Sequence, residues 1–245
     1  MRQETSLMSY RIIIPARIGS TRLPNKPLKD IAGKTLIERV VDQAKKTTAK
    51  SIHVATDSEE IMDHCNEINV EALLTSSDHK TGSDRLFESC DILKLLDQEL
   101  IINIQGDEPF IDPKDIENLV KLAEKENANM VTLYTSLESN ELANNDVVKL
   151  WLDSNIVKDF SRYGDHLPRK DAKKHIGVYG YRVNFLQKFI KWRQSENEIK
   201  RNLEQMRVMD NGGKIYAIES SGKYHIGVDT ESDLKLATEI ALDLE

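Results

Sequence analysis

The sequence predicts an α/β fold: a mostly parallel twisted sheet with helices on both faces, plus a small antiparallel hairpin lobe. Two observations carry this. Apolar runs at 12–14, 51–55, 70–74 and 100–104 alternate with stretches of helical periodicity, the pattern of a parallel sheet covered by helices. Further on, residues 147–152 and 156–160 flank Asp153-Ser-Asn155, which has the turn chemistry of an antiparallel hairpin.

The elements follow in order. Ile12, Ile13 and Ile14 form a buried strand. Thr35-Leu-Ile-Glu38 has capping-box spacing, and Leu36, Ile37, Val40, Val41 and Ala44 then recur at helical spacing to about Lys46. A strand over 51–55 leads to a helix through Ile68 that Asp57 or Ser58 can cap, and 70–74 is a weaker strand. A polar turn at 81–83 precedes a helix carrying Leu86, Phe87, Cys90, Leu93 and Leu96. The strand at 100–104 ends in Gln105-Gly-Asp-Glu-Pro109, and Asp112 with Pro113 opens the next helix. Strands are expected at 130–134, 175–182 and 214–218, with polar irregular chain at 140–146 and 163–174. Asn184 is read as the cap of a helix to Trp192. A second helix is expected from about Glu196 to Met209, stopping at Asn211-Gly212, and a last one from Thr230.

At 245 residues with a formal charge of −7, the chain is not a general nucleic-acid binder. No apolar run approaches membrane-spanning length, and the N-terminus lacks the apolar core of a signal peptide. The first eight or nine residues read as a disordered lead-in, and the protein is expected to be soluble and cytoplasmic. Cys65 and Cys90 read as packing thiols.

Basic residues are informative where they cluster. The loop leaving the first strand holds Arg17, Arg22 and Lys26, stiffened at its exit by Pro24 and Pro27. It is either a solvated basic loop or a cradle for an anionic ligand such as a polyphosphate. No Walker motif and no G-x-G-x-x-G follows the strand. Ligands in such sheets bind beyond the carboxyl ends of the strands, so this loop and the Gln105–Pro109 turn should converge. Asp107 is then a metal ligand or an ordinary turn residue, with Mg²⁺ the ion that suits one or two carboxylates plus phosphates. Asp229, taken alone, reads as a helix cap. His175 is either a satisfied structural histidine or a ligand contact. Glu204-Gln205 reads as a solvated helix face, and Arg162 as a weak candidate for an anion contact. Cations with a divalent ion suggest phosphoryl or nucleotidyl transfer.

The strings PARIGSTRLPNKPL, TGSDR (81–85), QGDEP (105–109), FSR (160–162), HIGVYGYR (175–182), LEQMR (203–207) and GVDT (227–230) resemble the 3-deoxy-manno-octulosonate (Kdo) cytidylyltransferases, in the same order from about Tyr10 onward. The resemblance implies one nucleotidyltransferase domain over 1–245, of the nucleotide-diphospho-sugar transferase type. Residues 147–182 would form a lobe serving dimerisation and sugar binding. It implies CTP and a 2-keto-3-deoxy sugar acid as substrates, giving CMP-sugar and pyrophosphate for lipopolysaccharide synthesis. By similarity, Arg17, Arg22 and Lys26 grip the triphosphate, while Ser83, Arg85 and Gln105 read the cytidine. Asp107 and Asp229 hold Mg²⁺, and Arg162, His175, Tyr179, Glu204 and Gln205 bind the sugar. A homodimer is expected.

The segment Tyr163-Gly-Asp-His-Leu-Pro168, followed by Arg169, Lys170, Lys173 and Lys174, departs from the family pattern. Asp165 could there pair with an ammonium, favouring an 8-amino analogue of Kdo. The competing readings are a sugar-nucleotide glycosyltransferase, which usually carries Asp-x-Asp where this chain has Gln-Gly-Asp-Glu, and a silent nucleotide-binding dimer.

Overall fold

The computed structural model describes residues 9–79, 81–163 and 169–244. The disordered lead-in expected at the N-terminus and the role suggested for Asp165 fall outside them. The strands are β1 (Tyr10–Ala16), β2 (Asp30–Ile31), β3 (Lys34–Thr35), β4 (Ser51–Thr56), β5 (Glu71–Leu74), β6 (Leu100–Asn103), β7 (Met130–Ser136), β8 (Lys149–Asp153), β9 (Ile156–Ser161), β10 (Lys173–Arg182) and β11 (Tyr216–Glu219). The helices are α1 (Leu36–Ala44), α2 (Glu59–Glu67), α3 (Gly82–Ile92), α4 (Pro113–Lys125), α5 (Val183–Phe189), α6 (Glu196–Arg201), α7 (Met206–Asp210) and α8 (Glu231–Leu244).

Nine strands form one sheet in the order β5-β4-β1-β6-β10-β7-β11-β9-β8. The first four pair in parallel, and β10 enters antiparallel between β6 and β7. The hairpin β8–β9 is present, but it is not detached. It joins the same sheet through β11, and β8 also reaches β10 at Lys149↔Lys174 and Leu150↔Lys173. The lobe expected over 147–182 is therefore the antiparallel half of a continuous sheet.

Alternation along β1 divides the core. Ile12 and Ile14 pack on one face with α1 and α4 residues such as Val40, Val41 and Ile116. Ile13 packs on the other with Leu86 of α3 and Leu186 and Phe189 of α5. A strand buried on both faces must be apolar throughout, which is why three consecutive isoleucines stand there. A third cluster matters more for the site. Leu23, at the centre of the cationic loop, is fully buried with Ile31, Leu36, Val228, Ala237 and Ala241. One leucine thus pins the loop to the segment carrying Asp229 and to α8.

Local signals explain most helix starts. Thr35 Oγ1 accepts from the Glu38 amide at 3.2 Å, Ser58 caps α2, and Asp112 Oδ1 accepts from the Lys114 amide at 2.9 Å. Complete capping boxes occur at Thr81/Asp84 and Ser195/Glu198. Three expectations need correction. α3 stops at Ile92, because Lys94 takes a left-handed φ of 51° and ends the helix before Leu96. α5 starts at Val183, with Arg182 rather than Asn184 in the cap position. The single helix expected over 196–209 is two, since Asn202 adopts the left-handed conformation (φ 52°) that asparagine tolerates. Glu204 and Gln205 consequently lie in the turn between α6 and α7. Gln205 is buried rather than on a solvated face.

Candidate active site

The loop after β1 and the turn after β6 meet at the carboxyl ends of adjacent parallel strands. Their approach needs a glycine: a Cβ on Gly106 would lie 2.7 Å from the Pro15 carbonyl oxygen. The segment before α8 is tied to the same place, because the Val228 amide donates to the Asp107 carbonyl at 2.9 Å.

Asp107 and Asp229 are thereby brought onto one cation. Lys26 Nζ donates to Asp107 Oδ2 at 2.7 Å and to Asp229 Oδ1 at 2.9 Å, and Arg22 Nη2 lies 2.9 Å from Asp229 Oδ2. Burial by itself would lower the Lys26 pKa, but the charges and hydrogen bonds of both carboxylates outweigh it and raise it. Burial works the other way on Asp229, where Lys26 and Arg22 prevail and hold the carboxyl below its usual range. Asp229 is therefore more than a cap; Thr230 takes that task, its hydroxyl accepting from the Asp233 amide at 3.3 Å while the Asp233 carboxylate accepts from the Thr230 amide at 2.8 Å. Beside the pair, Glu108 is pushed up to about 8, first by burial and then by the Asp107 charge.

Two cavities open from this point. One, of ≈ 330 Å³, is lined by Arg17, Arg22, Lys26, Arg85, Gln105 and Asp107, among others. The other, of ≈ 710 Å³, includes Glu108, Glu141, Lys174, His175 and Gly177, and both share Arg22, Gln105, Asp107 and Asp229. All three loop cations, both carboxylates and Gln105 thus converge as expected.

Arg85 reaches the smaller cavity from the first turn of α3. It is almost fully buried and held from behind by Asp57 (Nη2 to Oδ2, 2.8 Å) and by the Thr75 hydroxyl. Asp57 Oδ1 also accepts from the Ile18 amide at 3.3 Å, fixing the cationic loop against Arg85. In the sequence Asp57 presents itself as a helix cap, and this second role is not visible there. Its place just past β4 was the available signal, since ligand-facing residues follow such strands.

Ser83 does not join the cavity lining with Thr81, Gly82 and Arg85. Its hydroxyl donates to Glu204 Oε2 at 2.8 Å. Glu204 is raised by burial, and its Oε1 has no hydrogen bond among the described residues, with Arg207 Nη2 3.6 Å away. Arg207 is itself clamped by Glu198, with contacts of 2.7 and 2.5 Å, and lies over Phe189.

His175, Tyr179 and Phe160 form an aromatic row, with His175 5.3 Å from each neighbouring ring centre. The row lies where β10 bulges between Ile176 and Tyr179. The Thr132 hydroxyl fills the bulge, contacting the Val178 carbonyl and His175 Nε2, both at 2.9 Å. Burial, then the Arg162 charge, lowers His175 to about 3, so the ring is neutral. A Thr132 hydroxyl donating to Val178 must accept from His175 Nε2–H, which leaves Nδ1 as an acceptor. Arg162 spends its guanidinium on carbonyls: Asn145 and Asp146 at 3.3 Å and Asn202 at 3.4 Å. Sequence reading did not anticipate the Lys174–Glu141 ion pair (2.6 Å) on the larger cavity.

Among the described residues no three His, Cys, Asp or Glu side chains form a metal cluster. Two carboxylates turned onto one cation nevertheless fit Mg²⁺, which is commonly held by one or two carboxylates with substrate phosphates.

The chain as a whole is similar to known proteins. The cytidylyltransferase family profile matches residues 11–215. A 3-deoxy-manno-octulosonate cytidylyltransferase of Psychromonas ingrahamii is 40% identical, over 93% of this chain and 97% of its own. One of Idiomarina loihiensis is 37% identical, over 96% of this chain and 100% of its own. A solved CMP:2-keto-3-deoxy-manno-octonic acid synthetase in complex with CTP superposes with a TM-score of 0.89 at 33% identity, covering 97% of this chain and 100% of that one. With identity of 37–40% over more than nine-tenths of its length, the chain belongs to the cytidylyltransferase family, among the 3-deoxy-manno-octulosonate cytidylyltransferases.

Proposed function

We propose that this protein transfers the cytidylyl group of CTP to Kdo, giving CMP-Kdo and pyrophosphate for lipopolysaccharide synthesis. The observation that carries the reading is the meeting of two carboxylates and the loop cations where two cavities join. The smaller cavity suits a triphosphate, with Arg17, Arg22 and Lys26 on its oxygens. Arg85, Gln105 and the first turn of α3 lie at the nucleoside side. The larger suits a polyhydroxylated acid: neutral His175, which lines it, offers Nδ1 as an acceptor for a sugar hydroxyl, whereas Glu204 is not among the residues lining it.

The anomeric oxygen of the sugar forms a bond to the α-phosphorus as the bond to the pyrophosphate oxygen breaks, and the hydroxyl proton goes to solvent. Catalysis of this kind rests on positioning and charge stabilisation. Asp107 and Asp229 are the residues that would hold Mg²⁺, which neutralises phosphate charge and lowers the pKa of an attacking hydroxyl. A homodimer, and a cytoplasmic setting in which the buried Cys65 and Cys90 stay reduced, belong to the same proposal. No helix among the described residues is long and apolar enough to cross a membrane.

The test is pyrophosphate release from CTP with Kdo, with its 8-amino analogue run in parallel. Release that Asp107→Asn lowers by about 10²-fold or more, with the fold intact, is expected for lost transition-state charge stabilisation. No release with any 2-keto-3-deoxy acid overturns the proposal.

A further inference from the structure

We infer that Lys26 is an exchangeable internal counter-ion of the metal site: without metal and nucleotide its ammonium bridges Asp107 and Asp229, and their arrival moves it onto phosphate. The inference rests on the reading of those two carboxylates as metal ligands.

The geometry makes the two roles of Lys26 mutually exclusive. At 2.7 Å from Asp107 Oδ2 and 2.9 Å from Asp229 Oδ1, Nζ occupies the space between the carboxylates. A divalent ion ligated by both would need that space. The side chain is largely enclosed, with 16% exposure, so the pair is not screened like a surface ion pair. Two facing carboxylates without a counter-charge repel one another, and taking charge out of water without a partner is costly. A resident ammonium removes that cost in the free protein.

Lysine suits such an exchange. Its compact charge sits on four flexible methylenes, and it has no fixed fork to bind a carboxylate bidentately. Lys26 also opens a single 3₁₀ turn, Lys26–Leu28, whose Pro27 is buried. The backbone can stay in place while the ammonium swings by side-chain torsions alone. Arg22 lies on the outer oxygen of Asp229 and is 57% exposed, so it does not fill the space between the carboxylates. Two consequences follow. Metal alone must compete with Lys26 and binds weakly. Nucleotide supplies phosphate oxygens that receive the displaced ammonium, so metal and nucleotide bind cooperatively.

The experiment titrates Mn²⁺ alone, read as loss of the free-ion electron paramagnetic resonance signal, into the wild type, Lys26→Met and Arg17→Met. Each protein is titrated with and without CTP. Arg17 lines the same cavity and is exposed, so its variant reports the general effect of removing a nearby positive charge. The expected result is nucleotide-free Mn²⁺ affinity higher by about tenfold or more in Lys26→Met, the change expected when a charge-assisted hydrogen bond stops competing. Arg17→Met should stay near the wild type. CTP should tighten Mn²⁺ binding strongly in the wild type and much less in Lys26→Met.

Thermal unfolding gives a second readout. Lys26→Met should melt lower than the wild type in chelator and gain more from Mn²⁺. If wild-type protein binds Mn²⁺ with CTP but folded Lys26→Met shows unchanged or weaker nucleotide-free affinity, the exchange is wrong and the ligand assignment stands. An equal gain in Arg17→Met also overturns it. If wild-type protein takes up no Mn²⁺ even with CTP, the ligand assignment falls and the inference with it.

Discussion

Replacing Gly106 by alanine should separate the two halves of the site without touching a charged group. The added Cβ would lie 2.7 Å from the Pro15 carbonyl oxygen, and within 3.6 Å of the Ala16 Cβ and 3.7 Å of Ile37 Cδ1. The near atom is backbone, so no side chain can turn away, and ordinary contact begins at 3.4 Å. The two chain segments must part by about 0.7 Å, an overpacking strain that typically costs about 1–3 kcal/mol. For a chain of this size a loss of about 2 kcal/mol lowers Tm by roughly 4–8 °C.

Activity should suffer more than stability. Gly106 adjoins Asp107, and Pro15 leads into the loop bearing Arg17, Arg22 and Lys26. The displacement therefore opens the distance between carboxylate and cations directly. Misplacement on the ångström scale can cost about 10²-fold in rate. Gly19→Ala is the matched control, since a Cβ there meets nothing within 4 Å and its φ is not left-handed. The assay is pyrophosphate release beside thermal unfolding for both variants. A folded Gly106→Ala protein with wild-type kcat/KM would refute the claim that this close approach sets the geometry.

Arg207→Met removes one side of a buried bidentate pair with Glu198, both side chains being 5–6% exposed. It should cost about 3–5 kcal/mol by leaving a buried charge unpaired, measured by urea unfolding. His175 predicts a pH effect. Its folded pKa of about 3 lies below the unfolded value near 6.5, so the unfolded state binds the extra proton and stability falls as pH drops through that window. From pH 7 to pH 5 the loss should be about 1–2 kcal/mol, and His175→Gln should remove it in denaturation curves at the two pH values. Leu23→Ala should destabilise by about 2–5 kcal/mol through the cavity left under the loop. Calorimetry should also show weaker nucleotide binding, because the same leucine holds the loop to Val228.

The alternating half of the fold was legible because its signals are local. Three isoleucines mark a strand buried on both faces, Thr35 and Asp112 carry their own caps, and Pro113 suits a first helical turn. The cationic loop and Asp107 were legible for a related reason. Charged residues placed directly after apolar strands fall at one end of a parallel sheet whatever the rest of the chain does.

Other features were decided by contacts between residues far apart in the chain. Asn202 could have continued a helix, and its left-handed turn splits the expected one and brings Glu204 beneath Ser83, 121 residues earlier. Asp57 has the sequence appearance of a cap, yet Ser58 takes that position, and Arg85 and the Ile18 amide claim its carboxylate. The bulge in β10 and the hydroxyl of Thr132 that fills it fix the proton on His175. Short-range patterns therefore determined which elements form and which strand ends carry charge. Only the packed sheet decided which charges face one another, as Lys26 does two carboxylates lying 81 and 203 residues away, because that pairing depends on distance in space, which local patterns do not encode.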